Sequence, residues 1–471
     1  MHALRIVGAA LAVMLLGAAS SDPVASPVEK IMTAARVPGV QVAVVDHGRI
    51  VALHAYGVQD VATKSPVDDH TRFEIGSITK QFTAAAILQL KAAGKVRLDD
   101  TLAKYLPEYA AAKDVTIAQM LGQVSGIPDY TKQPAFIAMV APIGGRLTIP
   151  QRGDFAAMLA IVRDKPLDFA PGTQWAYSNT NYELLGRIVE IASGMPWQAY
   201  VRAHIFVPAG MTESGFMQDE PAMRDAATGY ATDGGTLIPT RSFNGWTTGA
   251  GSIVSTASDV AKWDVALFGG KIVSADDLAL MTQPGAFTAL SASMRYGFGW
   301  LIDAFEGQRR LWHNGGTLGF AASNEVYPAL SQAIVVLDNN AESSTDAIAE
   351  AVFNALHPDI AAAAAPTTAP GEDPAITARA KRVWNDLVAG HPDRSEYTDR
   401  FNAAMTPDVL AGATEGLKRL GTPTTWTYAG STAAGGAVSY DYRVQFAIGV
   451  TITVTMTLAP DGKIAGYVAH A

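Results

Sequence analysis

Phe-Glu-Ile-Gly-Ser-Ile-Thr-Lys at residues 73–80 opens a helical pattern in the sequence. Ser77 and Lys80 are three residues apart, so a helix places the hydroxyl and the amine on one face. A serine becomes a nucleophile when a base takes its proton, and a neutral amine is such a base. Lys80 is the only charged residue between Ile75 and Leu90. Burial of this apolar helix would lower the lysine pKa, although a surface lysine is the alternative.

A second polar group, Tyr-Ser-Asn at residues 177–179, follows a Pro-Gly-Thr turn and precedes a helix predicted over Asn181–Ser193. The phenol of Tyr177 is suited to relay a proton. The amide of Asn179 is suited to hold a lysine amine and a substrate carbonyl. The alternative is that Asn179 belongs to the helix cap and Tyr177 packs in the core.

A third group, His-Asn-Gly-Gly at residues 313–316, separates a short predicted strand over Arg309–Trp312 from one over Gly319–Tyr327. Paired glycines beside a strand allow a ligand to approach the backbone closely and leave N–H groups free to point at it. The alternative is an ordinary glycine hairpin that carries a surface histidine.

Composition excludes several kinds of protein. The chain has 471 residues and a formal net charge of −9, and it contains no run of basic residues, which disfavours nucleic acid as a partner. It contains no cysteine, so a cysteine zinc site, an iron–sulfur cluster, a thiol nucleophile and a disulfide are excluded. Sequence signatures of zinc hydrolases, α/β-hydrolases, P-loops and dinucleotide sites are missing. No metal or organic cofactor is expected.

The first residues predict an export signal. His2 and Arg5 precede an apolar run over Ile6–Ala19 that ends in small residues. The run is short for a membrane span, which needs about 20 residues. We therefore expect a signal peptide over residues 1–21 and a periplasmic or secreted protein with no stable membrane anchor after cleavage. An uncleaved anchor or a buried N-terminal helix is the alternative.

The remaining pattern predicts two domains. Strands at both ends of residues 25–360, with mainly helices between about 100 and 270, predict one α+β domain whose antiparallel sheet is assembled from both ends. Its expected elements are a hairpin of Val40–Val45 and Ile50–Tyr56, the strands Gly297–Ile302, Gly319–Tyr327 and Gln332–Leu337, and a helix over Ser344–Leu356.

A linker rich in Ala, Thr and Pro is expected at residues 361–375, followed by a small α+β domain over residues 376–471. In the second domain, the expected elements are two helices and a four-stranded meander, namely Ile376–Ala389, Pro407–Leu420, Thr424–Ala429, Ala437–Ile448, Val450–Leu458 and Lys463–Ala469.

The combination of S-x-x-K at 77–80, Y-x-N at 177–179 and H-x-G at 313–315 resembles the serine β-lactamase and penicillin-binding-protein superfamily. It most resembles the class C β-lactamase branch, which includes D-alanyl-D-alanine carboxypeptidases, D-aminopeptidases and esterases. The likeness covers about residues 25–357 but not the second domain. Other stretches share it, namely Phe73–Gly76, Val124–Tyr130, Pro171–Thr173, Ser255–Val260 and Tyr296–Trp300.

The resemblance implies a penicillin-recognising fold and a role for each motif residue. Ser77 would be the acylated nucleophile, Lys80 its activating partner and Tyr177 a proton shuttle. Asn179 would hold Lys80 and the substrate amide. The backbone N–H groups of Ser77 and Gly316 would form the oxyanion hole.

His313, with Gly315 and Gly316, would line the substrate site, and here the chain departs from the Lys-Thr-Gly of β-lactamases. At its ordinary pKa a histidine is only about one-quarter protonated at pH 7. The resemblance therefore implies a serine hydrolase acting through an acyl-enzyme on esters or D-amino-acid amides and peptides, possible peptidoglycan fragments included, with weak β-lactam hydrolysis. The alternatives are a non-catalytic peptidoglycan-binding or scaffolding protein, and a C-terminal domain that binds a partner.

Overall fold

The structure is a computed structural model that describes residues 22–143, 146–149, 153–233, 236–240, 245–284, 294–342, 345–364, 368–434, 436–446 and 451–470. The signal peptide expected over residues 1–21 lies outside the described residues. Within the described residues, none of the helices combines the length and the apolar character needed to cross a membrane.

Strands lie near both ends of the first domain and in the C-terminal domain, and short strands of two to four residues lie between them. In chain order they are β1 (Gly39–Asp46), β2 (Arg49–Asp60), β3 (Ser65–Pro66), β4 (Phe73–Glu74), β5 (Ala141–Ile143), β6 (Arg146–Thr148), β7 (Gly215–Phe216), β8 (Tyr230–Asp233), β9 (Thr236–Pro239), β10 (Ile253–Ser255), β11 (Arg295–Tyr296), β12 (Leu301–Phe305), β13 (Gln308–Gly316), β14 (Ala321–Tyr327), β15 (Gln332–Asp338), β16 (Pro423–Ala434), β17 (Ala437–Phe446), β18 (Thr451–Leu458) and β19 (Ile464–His470).

Helices occupy most of the regions between the strands. In chain order they are α1 (Ala25–Ala35), α2 (Thr79–Ala92), α3 (Ile117–Leu121), α4 (Pro134–Ile137), α5 (Phe155–Val162), α6 (Asn179–Ser193), α7 (Trp197–Val201), α8 (Val207–Ala209), α9 (Ala257–Phe268), α10 (Ala275–Thr282), α11 (Thr345–Leu356), α12 (Pro358–Ala364), α13 (Pro374–Ala389), α14 (Asp399–Ala404) and α15 (Pro407–Leu420).

The main sheet of the described residues joins the two ends of the first domain, which confirms the predicted fold class. Its strand order is β11-β12-β13-β14-β15-β1-β2-β3, and the main-sheet pairings are antiparallel. β1 lies between β15 and β2: Val42 is paired with Val336 on one side and with His54 on the other. Alternate residues of β1 enter different cores: Val42 packs with α1 and α11, and Ala43 packs with the helical region.

Helix α2 runs through the middle of the helical region, where nearly all of its side chains are buried. Phe82 of α2 stacks on Trp263 of α9, with ring centroids 4.1 Å apart. The predicted apolar helix after Ser77 is therefore confirmed as a core helix. The residues just before α2 contact β13 and β14 of the sheet.

Three predicted element boundaries are wrong in ways that affect the site or the domains. The strand expected over Gly297–Ile302 begins only at Leu301, because Gly299 turns with a φ of +78° in the hairpin between β11 and β12. β13 does not stop at Trp312 but continues through Gly316, paired with β14. The linker expected from residue 361 begins with helix, since α12 extends to residue 364.

A separate sheet domain follows at the C-terminus, in the predicted order of two helices and a meander, with α14 between the helices. Its strands pair as β16-β17-β18-β19. β18 alternates buried and half-buried residues, and its buried side chains face α13, where Trp384 is almost fully buried. This domain therefore has its own core.

Candidate active site

The turn that carries Ser77 lies against the end of β13. Residues 76–78 form one 3₁₀ turn that leads directly into α2. Gly76 has a φ of +48°, and a Cβ there would lie 2.7 Å from the backbone nitrogen of Gly316. A Cβ on Gly315 would overlap the carbonyl oxygen of Ile75. The glycines of the first and third motifs thus permit one close backbone contact beside Ser77.

Lys80 is fully buried beneath Ser77, so the alternative of a surface lysine is wrong. Its Nζ lies 2.9 Å from Ser77 Oγ, 2.8 Å from Asn179 Oδ1 and 2.8 Å from the carbonyl oxygen of Ala250. All three partners are uncharged. Burial lowers the pKa of Lys80 from its ordinary value of 10.5 to about 7, although the charges of nearby carboxylates oppose the shift. A substantial fraction of the amine is therefore neutral at pH 7.

Asn179 connects Lys80 to a second polar loop. It is the first residue of α6, two residues earlier than the predicted helix start, and Ser178 occupies the cap position. The Asn179 side chain does not cap the helix, so that alternative is wrong: Oδ1 accepts from Lys80, and Nδ2 donates to Asp129 Oδ2 at 3.2 Å and Thr131 Oγ1 at 3.3 Å. These partners fix which end of the amide faces the lysine.

Tyr177 stands over the same lysine. The centroid of its ring is 4.8 Å from Lys80 Nζ. Burial raises the pKa of the Tyr177 phenol well above its ordinary value, and a hydrogen bond with Ser77 works in the opposite direction. The phenol therefore keeps its proton near neutral pH and touches the nucleophile, which is the arrangement that a proton relay requires.

His313 is only 2% exposed, so the alternative of a surface histidine is wrong. Its Nδ1 lies 2.6 Å from the carbonyl oxygen of Asn314, which only accepts, so Nδ1 carries a proton. Nε2 of the neutral ring then accepts from the Tyr296 hydroxyl at 3.2 Å. Burial, together with the charge of Lys80, lowers the pKa of His313 to about 3. The expectation of a one-quarter protonated imidazole is wrong, because the buried ring is neutral at pH 7.

A cluster of aromatic rings lies beside Ser77. The ring centroids of Tyr177 and Tyr296 are 6.3 Å apart, and Trp175 and His313 each lie about 6 Å from Tyr296. Lys132, which is largely exposed at the rim, donates to the backbone carbonyl of Tyr177 at 3.3 Å. These four rings therefore form an uncharged aromatic cluster beside Ser77.

Several residues of the site were not among the predicted site residues. Asp129 and Tyr296 lie in stretches that carry the family resemblance, but no spacing indicated their contacts. Glu183 follows Asn179 by four residues, which places both side chains on one face of α6. Thr131 and Ala250 have no sequence signal, since Ala250 contributes only its backbone carbonyl.

The fold and the contact of the buried Lys80 with the half-buried Ser77 are typical of the penicillin-recognising class. The family model described as Beta-lactamase matches residues 24–358, and the chain belongs to this family. The family fold includes hydrolases and penicillin-binding proteins.

Two curated relatives illustrate the likeness. Protein flp of Staphylococcus aureus (strain MW2) is 31% identical over 251 residues, which are 52% of this chain and 48% of that protein. The chain thus spans about half the length of this relative. PbpX of Bacillus subtilis (strain 168) is 30% identical over 303 residues, covering 64% of this chain and 70% of that protein.

Solved structures share the fold. The octameric penicillin-binding protein homologue from Pyrococcus abyssi superposes with a TM-score of 0.65 at 24% identity, covering 92% of this chain and 94% of that chain. The D-stereospecific amidohydrolase from Streptomyces sp. superposes with a TM-score of 0.59 at 25% identity, covering 70% of this chain and 98% of that chain.

Proposed function

We propose that the protein is a serine hydrolase that works through a covalent acyl-enzyme on Ser77. The observation that carries the proposal is the buried Lys80 amine 2.9 Å from Ser77 Oγ. A neutral amine has two N–H donors and one lone pair. Asn179 Oδ1 and the Ala250 carbonyl accept the two donors, so the lone pair faces the serine hydroxyl.

In the acylation step, Ser77 Oγ attacks the substrate carbonyl while its proton passes to Lys80 Nζ. The phenol of Tyr177, which is hydrogen-bonded to Ser77, gives its proton to the leaving alcohol or amine and takes in return the proton that Lys80 received. Water then attacks the acyl-serine ester by the reverse proton path, which releases the acid and restores the hydroxyl. Water is the second substrate, and at the end of the cycle Ser77, Lys80 and Tyr177 have regained their starting protonation states.

The developing oxyanion would be held by the backbone N–H groups of Ser77 and Gly316. The close approach of the Gly316 nitrogen to the turn at Gly76 supports this pairing. Preorganised backbone donors of this kind are worth about 10²–10³-fold in rate each.

The proposed substrates are esters or D-amino-acid amides and peptides, peptidoglycan fragments included, met in the periplasm or outside the cell. The neutral His313 supports this class, because a position that is lysine in β-lactamases offers no cation to an antibiotic's carboxylate. The likeness to a D-stereospecific amidohydrolase supports the amide branch. We place the chain in the class C-related branch with weak β-lactam hydrolysis.

Covalent labelling tests the proposal. Incubation of the full chain with a fluorophosphonate or a fluorescent penicillin should add mass at Ser77, and Ser77→Ala should remain unlabelled. A panel of p-nitrophenyl esters, D-amino-acid anilides and nitrocefin then ranks the substrate classes. Absence of any adduct and any turnover in the wild type would instead indicate a non-catalytic binding member of the fold.

A further inference from the structure

A buried carboxylate lies behind the Lys80 site on the same helix as Asn179. Glu183 is 4% exposed and one helical turn beyond Asn179. Its Oε1 accepts from Thr247 Oγ1 at 2.8 Å and from the backbone N–H of Thr248 at 3.0 Å. Its Oε1 also accepts from the N–H of Ala250 at 3.3 Å, and its Oε2 accepts from Thr248 at 2.9 Å.

The loop formed by residues 247–250 transmits these contacts to the lysine. Ala250 donates its N–H to Glu183, and its carbonyl accepts from Lys80 Nζ at 2.8 Å. Thr83 of α2 donates to the carbonyl of Gly249 at 2.7 Å, which ties the loop to the helix that carries Lys80. Every contact to the carboxylate comes from a donor, and such a set favours the ionised form.

We propose that Glu183 is the positioning residue of this site: its carboxylate holds the 247–250 loop, and the Ala250 carbonyl of that loop aims the Lys80 amine at Ser77. The inference rests on the proposed function. It adds that helix α6 holds the base twice, directly through Asn179 and indirectly through Glu183. It also adds a charge that acts on Lys80 without touching it.

The charge of Glu183 acts on Lys80 together with other groups. Asp129 and Glu183 both stabilise the protonated amine. Within the described part of the chain, His313, Tyr177 and Tyr182 also face Lys80. Burial raises the pKa of Glu183, and its hydrogen bonds from Thr248 and Thr247 hold it down. Removing the charge therefore lowers the pKa of Lys80 and moves the acidic limb of activity to lower pH.

Glu183→Gln is the decisive variant, because it keeps the shape and an acceptor oxygen but removes the charge and places an NH₂ group against N–H donors. We expect Ser77 labelling at pH 8 to slow about tenfold or more. An NMR titration of the Lys80 side chain should show its pKa lowered by at least about 0.5. Glu183→Asp keeps the charge, so it should retain the wild-type pKa of Lys80 while losing part of the rate.

Glu190→Gln is the matched control on the same helix. Glu190 lies away from the site, and its carboxylate pairs with Arg187 at a distance of 2.6 Å. It should leave both readouts at the wild-type values. If Glu183→Gln does not fold, Thr247→Val carries the test, and it should slow labelling about fivefold through the loss of one hydrogen bond to the loop.

The two readouts separate this inference from the proposed function. A slower Glu183→Gln whose Lys80 pKa is unchanged would reduce Glu183 to a structural role and overturn the inference. A lowered Lys80 pKa in Glu183→Gln, in a protein whose wild type is never labelled at Ser77, would support the coupling while refuting the acyl-enzyme.

Discussion

Among the residues that the structure describes, the first domain buries one lysine, Lys80, and one arginine, Arg310, and surrounds them in opposite ways. Lys80 Nζ is hydrogen-bonded to a hydroxyl, an amide oxygen and a backbone carbonyl, all uncharged. Arg310 donates to carboxylates: Asp303 at 2.9 Å, Glu325 at 3.2 Å and Glu350 at 3.0 Å. The carboxylates of Asp129 and Glu183 are also near Lys80. Each of them bonds to a neutral group that contacts the lysine, namely the Asn179 amide or the Ala250 backbone.

The difference shows how a fold keeps one buried side chain titratable near neutral pH and holds another in its charged form. Burial disfavours the charge at both sites. At Lys80 burial prevails and lowers the pKa to about 7, whereas at Arg310 the attraction of Glu325 and Asp303 outweighs burial and raises the pKa. Direct contact with a carboxylate preserves a buried charge, and an intervening neutral acceptor leaves it titratable.

The largest expected effect comes from removing the group that Lys80 serves. Ser77→Ala should lower turnover of the best panel ester by about 10⁴-fold or more, because the covalent route is lost. Its melting temperature should stay the same or rise, since catalytic sites are often strained. If the variant keeps about a tenth of the activity, Ser77 is not the nucleophile.

Arg310 should matter for stability rather than for proton transfer. Arg310→Met should lower the free energy of unfolding by about 3–5 kcal/mol, because it leaves buried carboxylates without their partner. Denaturant titration measures the loss, and the exposed pair partner Arg97→Met serves as a control that leaves stability unchanged. The pH–rate profile of the folded fraction of Arg310→Met should keep its acidic limb near pH 7. A shifted limb would show that Arg310 also affects the titration of Lys80.

Lys80→Arg replaces the titratable amine with a guanidinium like that of Arg310. A guanidinium does not lose its proton in proteins, so acylation should slow by about 10²-fold or more at every pH. In the wild type, kcat/KM for a neutral ester should rise as pH increases through about 7, because the amine acts only when neutral. Recovery of Lys80→Arg at high pH would show that the residue supplies charge rather than basicity.

The smallest effect concerns His313, which adds no cation beside Lys80. Because its pKa is lowered to about 3, the wild-type ratio of nitrocefin to neutral-ester hydrolysis should stay flat between pH 6 and 8. His313→Lys should raise that ratio about tenfold by adding a charged partner for the carboxylate. A wild-type ratio that increases toward pH 6 would show that the imidazole titrates there after all.

Much of the fold and part of the site follow from local sequence. Alternation and apolar runs predicted the hairpin of β1 and β2, the core helix after Ser77 and the C-terminal meander, because these patterns depend on residues close together in the chain. The glycine pair Gly315–Gly316 is also a local signal. The structure places it inside β13, whereas the sequence pattern predicts a break after a shorter strand.

The sequence by itself indicated the groups to which we assign the chemistry, namely Ser77, Lys80 and Tyr177, because side-chain type and spacing are local properties. Only the tertiary structure brought Asp129, Glu183 and the Ala250 carbonyl around Lys80, and only it removed His313 from water. Those contacts join residues about 50 to 170 positions apart. Protonation depends on burial and on such distant partners. No local pattern could therefore state which buried group titrates near neutral pH, which keeps its charge and which is neutral.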